Sequence, residues 1–109
     1  MLSLIANAII VLSLKVTPQV CAEPCTIKAS ITIEGLDPER EVCLGIIYEG
    51  EDEAYTRSCW PWTGRKQTDV TISRIPAGSY TVEVRAGGRR AATSLTVVEG
   101  AIAPEERSW

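Results

Sequence analysis

The sequence predicts an all-β protein, a two-layered antiparallel sandwich of six to seven short strands preceded by a hydrophobic N-terminal segment. Three observations predict it. Apolar residues alternate with polar ones at a period of two from about residue 26 onward. Clusters of Gly, Pro and Asp separate the alternating runs, and no run carries a helical period. A single sheet of these runs would leave a face of Ile and Val in water, so a second layer must cover it. With 109 residues and no internal repeat, the chain is one domain at most.

The first element is the uncharged run from Met1 to Leu14. It is shorter than the ~20 apolar residues of a bilayer span and suits the core of a signal peptide. The small pair Val20 and Ala22 matches an A-x-A-like cleavage pattern that would start the mature chain at Glu23. Retained, the segment would serve as an anchor with Lys15 reaching the headgroups; the remaining alternative is a buried helix of the fold. The expected organisation is a signal peptide or anchor over 1–22, a sandwich over 23–100 and a polar tail over 101–109.

In "TIKASITIEG" Ile27, Ala29, Ile31 and Ile33 share one face, and Lys28, Ser30, Thr32 and Glu34 the other. "GLDPERE" supplies turn chemistry through Pro38. "EVCLGIIYEGEDEAYTRSCW" reads as a hairpin around an acidic tip. Centring the tip on Glu51 sets Val42 against Trp60, Leu44 against Ser58, Ile46 against Thr56 and Tyr48 against Ala54. The same register puts Cys43 opposite Cys59, within the reach of a disulfide. "TDVTISRI" gives a further strand, and "AGSYTVEVRAGGRRAATSLTVVEG" two more around Gly87-Gly88. One register of that last hairpin pairs Tyr80 with Leu95 but opposes Arg85 to Arg90; a slip of two residues relieves the repulsion without exchanging faces.

"RIPAGSYTVEV" resembles the Pro-x-Gly-x-Tyr-x-Val lead-in to a late strand in transthyretin-like and immunoglobulin-like modules of secreted and cell-surface proteins, including carboxypeptidase-regulatory-type domains. The resemblance covers residues 75–98 and implies an immunoglobulin-like sandwich in which Pro76 and Gly78 shape a corner and Tyr80 closes one end of the core. It brings no catalytic residues. In layout alone, a hydrophobic start over 2–14 before a β-rich body is similar to archaeal and type-IV-pilin-like subunits, which implies an N-terminal helix and a filament.

Chemistry-bearing clusters are few. The chain has no His, which removes the usual general base and the commonest metal ligand. No enzyme activity and no cofactor are expected. The net charge of −3, with no basic stripe among aromatics, argues against nucleic acid. Glu49, Glu51, Asp52 and Glu53 cluster oxygens of the kind a hard cation takes, but their spacing matches no calcium loop and fits a solvated hairpin tip. Trp60 and Trp62 share a face if extended; Trp60 is expected in the core, whereas Trp62, together with Trp109 in the tail, is a candidate contact for a sugar or protein. Cleavage after Ala22 would remove Cys21 and leave Cys25 unpaired for another chain; retention allows a Cys21–Cys25 loop.

The function read from these residues is a non-enzymatic, extracytoplasmic structural module, secreted or at the cell surface. Its partner would be a protein, including copies of itself in a filament joined by strand addition, with membrane contact only through residues 1–22. The alternatives are a glycan- or protein-binding module using the Trp60–Trp62 region, and a small secreted inhibitor presenting the loop 61–67.

Overall fold

The computed structural model describes residues 9–100. They form eight strands: β1 (Val11–Thr17), β2 (Val20–Ala22), β3 (Cys25–Glu34), β4 (Glu41–Tyr48), β5 (Ala54–Pro61), β6 (Gln67–Ile75), β7 (Gly78–Ala86) and β8 (Arg89–Val98). One sheet has the order β1-β3-β6 and the other β2-β8-β7-β4-β5. All pairings are antiparallel except that of β2 with β8. The protein is therefore the expected small β-sandwich, with two strands more than the six its body predicts.

The core lies between the sheets and is built from the alternating positions. Ile27, Ala29, Ile31 and Ile33 of β3 face Val42, Leu44 and Ile46 of β4, Val82 and Val84 of β7, and Leu95 and Val97 of β8, all buried. Removing these branched side chains from water is the main term favouring the fold, at about 1.5–3 kcal/mol each.

Residues 11–22, expected as part of a leader or anchor, are β1 and β2 of the sandwich, and no helix forms over 9–14 as the pilin-like layout implied. The physical reason is that the apolar run itself alternates. Leu12, Leu14 and Val16 turn inward while Ser13, Lys15 and Thr17 turn out, which suits a half-buried strand. The expected cleavage point lies between β2 and β3, where Glu23 joins three segments. Its N–H donates to the Val98 carbonyl at 2.9 Å, and its carboxylate accepts from the Ala77 N–H at 2.8 Å and the Gly100 N–H at 3.4 Å. Residues 1–8 and the tail 101–109, with Trp109, lie outside the described residues.

Both hairpin registers can be compared with expectation. In β4–β5 the pairs Val42–Trp60, Cys43–Cys59, Leu44–Ser58 and Ile46–Thr56 form as expected, but a bulge after Ile46 sets Ile47, not Tyr48, against Ala54. In β7–β8 the unslipped register holds: Tyr80 faces Leu95 and Arg85 faces Arg90. The turn between them is Gly87-Gly88 with φ of 57° and 77°, the left-handed pair that a tight two-residue hairpin requires.

Tyr80 closes the opposite end of the sandwich. Its hydroxyl donates to the Pro76 carbonyl at 2.7 Å, and its ring packs against Tyr48 and Tyr55 with centroids 5.6 and 6.1 Å away. A Cβ on Gly78 would stand 3.1 Å from the Tyr80 hydroxyl, so a larger residue there would press on the ring. This arrangement is a tyrosine corner of the kind found in immunoglobulin-like sandwiches.

Candidate functional site

The candidate site is the outer face of the five-stranded sheet together with the free strand edges, because the inner faces are occupied by core. On β7 the outward residues are Ser79, Thr81, Glu83 and Arg85, and on β8 they include Arg90 and Ala92. On β4 Cys43 and Gly45 look outward, and on β5 Cys59 and Arg57 lie opposite them.

Glu83 is buried on this outer face, only 3% exposed. The cover is charged: Arg85 Nε lies 2.9 Å from Oε2, and Arg90 Nε bonds Oε1. Burial pushes the Glu83 carboxyl up, but the hydrogen bond from Arg90 and the charges of Arg85 and Arg90 outweigh it and hold the group below the usual carboxylate range. Arg57 extends over Gly45, its Nε 3.4 Å from where a Cβ would stand. Arg57, Arg85 and Arg90 line a hollow of about 350 Å³ together with the carboxylates of Glu51, Asp52 and Glu83. A second hollow, of about 480 Å³, runs from Cys43 past Arg85 to Arg89 at the Gly87-Gly88 turn.

Cys43 and Cys59 are joined, with Cα atoms 4.0 Å apart, and bridge neighbouring strands on the outer face. Cys21 and Cys25 are joined as well, Cα atoms 5.9 Å apart. This second bridge ties β2 of one sheet to β3 of the other, and in this connectivity Cys25 is not left for another chain. All four cysteines are paired.

The tryptophan platform is corrected. Trp60 faces inward opposite Val42 as expected, half-buried, but Trp62 is only 2% exposed. The ladder continues past Pro61, the Trp62 N–H donating to the Arg40 carbonyl and the Glu39 N–H to the Trp62 carbonyl, both at 2.8 Å. The chain therefore stays extended and the indole turns into the core. The loop 61–67 is fastened too, with the Ile33 N–H donating to the Lys66 carbonyl at 3.1 Å and Lys66 Nζ 3.2 Å from Glu34.

As for metal ligands, Glu41, Cys43 and Cys59 are the one group of three donors brought together among the described residues. With both sulfurs in a disulfide only the Glu41 carboxylate could bind, so the group makes no metal site. The carboxylates of Glu49, Glu51, Asp52 and Glu53 are exposed and are not gathered into such a group. Sequence reasoning misses the arginine-covered Glu83; the one signal for it is an outward glutamate two residues before Arg85 on the same face.

Among the described residues four strand edges are unpaired. β2 is three residues long, β1 carries Lys15, and β5 carries Arg57, Pro61 and the bulge opposite Ile46–Ile47. β6 differs, because from Gln67 to Ser73 it has no proline, no lysine and a single charge, the outward Asp69. Only its end is guarded, where Arg74 adopts a φ of 64° and its carbonyl accepts from the Tyr55 hydroxyl at 3.3 Å.

No family model matches the chain, and no curated protein matches it. Among solved structures it is similar to the CARDB domain of a Pyrococcus furiosus protein crystallised in complex with di-metal ions, with a TM-score of 0.54 and 11% identity over 85% of this chain and 96% of that one. The likeness supports the β-sandwich class; it does not show the transthyretin-like part of the sequence resemblance.

Proposed function

We propose that the protein is a non-enzymatic structural module working outside the cytoplasm, which binds a partner strand, including one from another copy of itself, along the β6 edge. The unguarded edge carries this reading. Folded β proteins ordinarily blunt such edges with lysine, proline, bulges or inward charges; β6 has no lysine, proline or inward charge from Gln67 to Ser73, and its one bulge lies at its end, between Ile72 and Ile75. An added strand would satisfy its free N–H and C=O groups and extend the three-stranded sheet. Two disulfides in so small a domain support an oxidising compartment. A filament follows only where β6 takes a different strand of the next copy, since β6 paired with β6 closes a two-fold dimer. The burial of Trp62 removes the main support for a tryptophan-based glycan site.

The test is amide exchange of the concentrated protein beside Thr71→Lys/Ser73→Lys, two outward substitutions that guard the edge. Slowed exchange along β6 with rising concentration, abolished in the variant, is expected. Exchange on β6 that ignores both concentration and the substitutions would refute strand addition.

A further inference from the structure

The three donors at the start of the β4–β5 ladder are a ligand set held shut. Glu41 and Cys43 stand two residues apart on the same face of β4, and Cys59 stands directly across from Cys43 on β5. The carboxylate oxygen and the two sulfurs lie within 4.8 Å of one another. While the sulfurs are bonded to each other, only the carboxylate is free to take a cation. Opening that bond supplies two thiolates, the ligands a borderline-soft cation such as Zn²⁺ favours, beside a carboxylate that it also accepts.

The backbone keeps the three together when the bridge is open. The Cα atoms of Cys43 and Cys59 are 4.0 Å apart, and the ladder fixes that closeness independently, since Val42–Trp60 and Leu44–Ser58 pair on either side. Two sulfurs bound tetrahedrally to zinc at about 2.3 Å stand about 3.8 Å from each other. Side chains rising on one face from opposed residues reach that separation without moving a strand. β4 is moreover an inner strand, paired with β7 from Val42 to Tyr48, so two of the three ligands sit on backbone fastened from both sides.

There is room for the cation. Glu41 and Cys43 line the hollow of about 480 Å³, and the Gly87-Gly88 turn across from them brings no side chain to fill it. The other charged groups of the hollow are Arg85, Arg89 and Arg90, of which Glu83 already holds Arg85 and Arg90. Two thiolates and a carboxylate around Zn²⁺ leave one negative charge. Arg85, directly opposite Cys43 on β7, and Arg89 stand beside it. Three protein ligands leave the fourth tetrahedral position to water.

We infer that Glu41, Cys43 and Cys59 form a zinc site gated by the Cys43–Cys59 bridge: the reduced protein binds the cation and the oxidised protein excludes it. The reductant is a dithiol. Its two sulfurs give two electrons and two protons to the bridge and close into a disulfide; the freed Cys43 and Cys59 then release their protons to solvent as Zn²⁺ binds. Exchange with a disulfide reverses the sequence and ejects the cation. The site lies on the outer face of the five-stranded sheet, apart from the β6 edge, and does not depend on strand addition.

Cobalt(II) is the probe, because thiolate ligands give it a strong charge-transfer absorption that oxygen ligands do not. After reduction with a water-soluble phosphine, the full chain is expected to bind a single Co²⁺ with that absorption and to yield it to Zn²⁺, while the oxidised chain shows none. Removing a group that merely supports a metal ligand costs about 10–100-fold in affinity, and a ligand no less, so Glu41→Gln should weaken Co²⁺ binding at least about tenfold. Cys43→Ser/Cys59→Ser, which keeps Cys21 and Cys25, should give no thiolate band after reduction. A band in that variant would place the site at Cys21 and Cys25 and overturn the inference. Glu41→Gln binding as tightly as the wild type overturns it too, as does a reduced chain that keeps its sheet circular dichroism and takes up no cobalt. A reduced chain that loses that signal also overturns it, since the ladder then does not hold the ligands together.

Discussion

Arg85 and Arg90 face each other directly across β7 and β8, and the carboxylate of Glu83 holds both. Two like charges at opposed positions would repel and favour a slipped register; the shared anion removes that cost. Because the folded Glu83 titrates below its ordinary range of about 4.3, its contribution to stability is present above that pH. It is lost as pH falls through the lowered folded value. Glu83→Gln is expected to lower stability at neutral pH by ~1 kcal/mol, a modest figure because the arginines are largely solvated. It should also flatten the loss of stability below about pH 5. Urea midpoints measured across that range check it, and parallel wild-type and variant curves would count against the role.

Removal of residues 1–22 should abolish cooperative unfolding. The deletion takes away β1 and β2, exposes the edge of β3, uncovers the surface under Val16 and breaks the Cys21–Cys25 bridge. Loss of one buried and two half-buried aliphatic side chains together with a short disulfide comes to about 5 kcal/mol or more, comparable to the whole stability of a small domain. Calorimetry of the shortened chain provides the check; a sharp transition near that of the full chain would show that the first two strands are dispensable.

The strands legible in the sequence are those where alternation is uninterrupted. Ile27 to Ile33 and Tyr80 to Val84 show their inward face by period alone, and the opposition of Cys43 and Cys59 follows from matching hydrophobic faces. What escapes has two physical causes. Around Val11 the outward positions include Val11 itself, 53% exposed, so an alternating strand looks like a continuous apolar run. Around Glu83 the period-two pattern places a carboxylate outward, and it becomes buried only because arginines from its own strand and the next fold over it. Trp62 belongs to the same class, since whether an indole after Pro61 turns inward depends on the backbone pairing of residues 39 and 40.

Tyr80→Phe removes one hydroxyl and keeps the ring. Its bond to the Pro76 carbonyl is short and sheltered, and burial pushes the phenol above its ordinary range, so the neutral donor form persists at physiological pH. The expected cost is about 1–1.5 kcal/mol, against about 3–5 kcal/mol for Tyr80→Ala, which also empties the ring's place beside Tyr48 and Tyr55. Thermal unfolding of the two variants separates the parts. Equal losses would mean that the hydroxyl contributes nothing beyond the packing.

The two disulfides should differ in access and in consequence. Cys59 is exposed on the outer face and Cys43 half-buried, whereas Cys25 is 2% exposed beneath the first sheet. A thiolate must reach a sulfur to exchange with it, so limiting reductant should open Cys43–Cys59 first. Loop entropy assigns about 3 kcal/mol to that bridge, which closes a separation of 16, and about 2 kcal/mol to Cys21–Cys25 with a separation of 4. The shorter loop nonetheless joins the two sheets, so Cys21→Ala/Cys25→Ala should free β2 from the sandwich while Cys43→Ala/Cys59→Ala leaves every strand paired. Alkylation followed by mass analysis gives the order of opening, and amide exchange at Val20 to Ala22 gives the consequence. Early opening of Cys21–Cys25, or unchanged protection of β2 without it, would contradict the assignment of that bridge as the tie between layers.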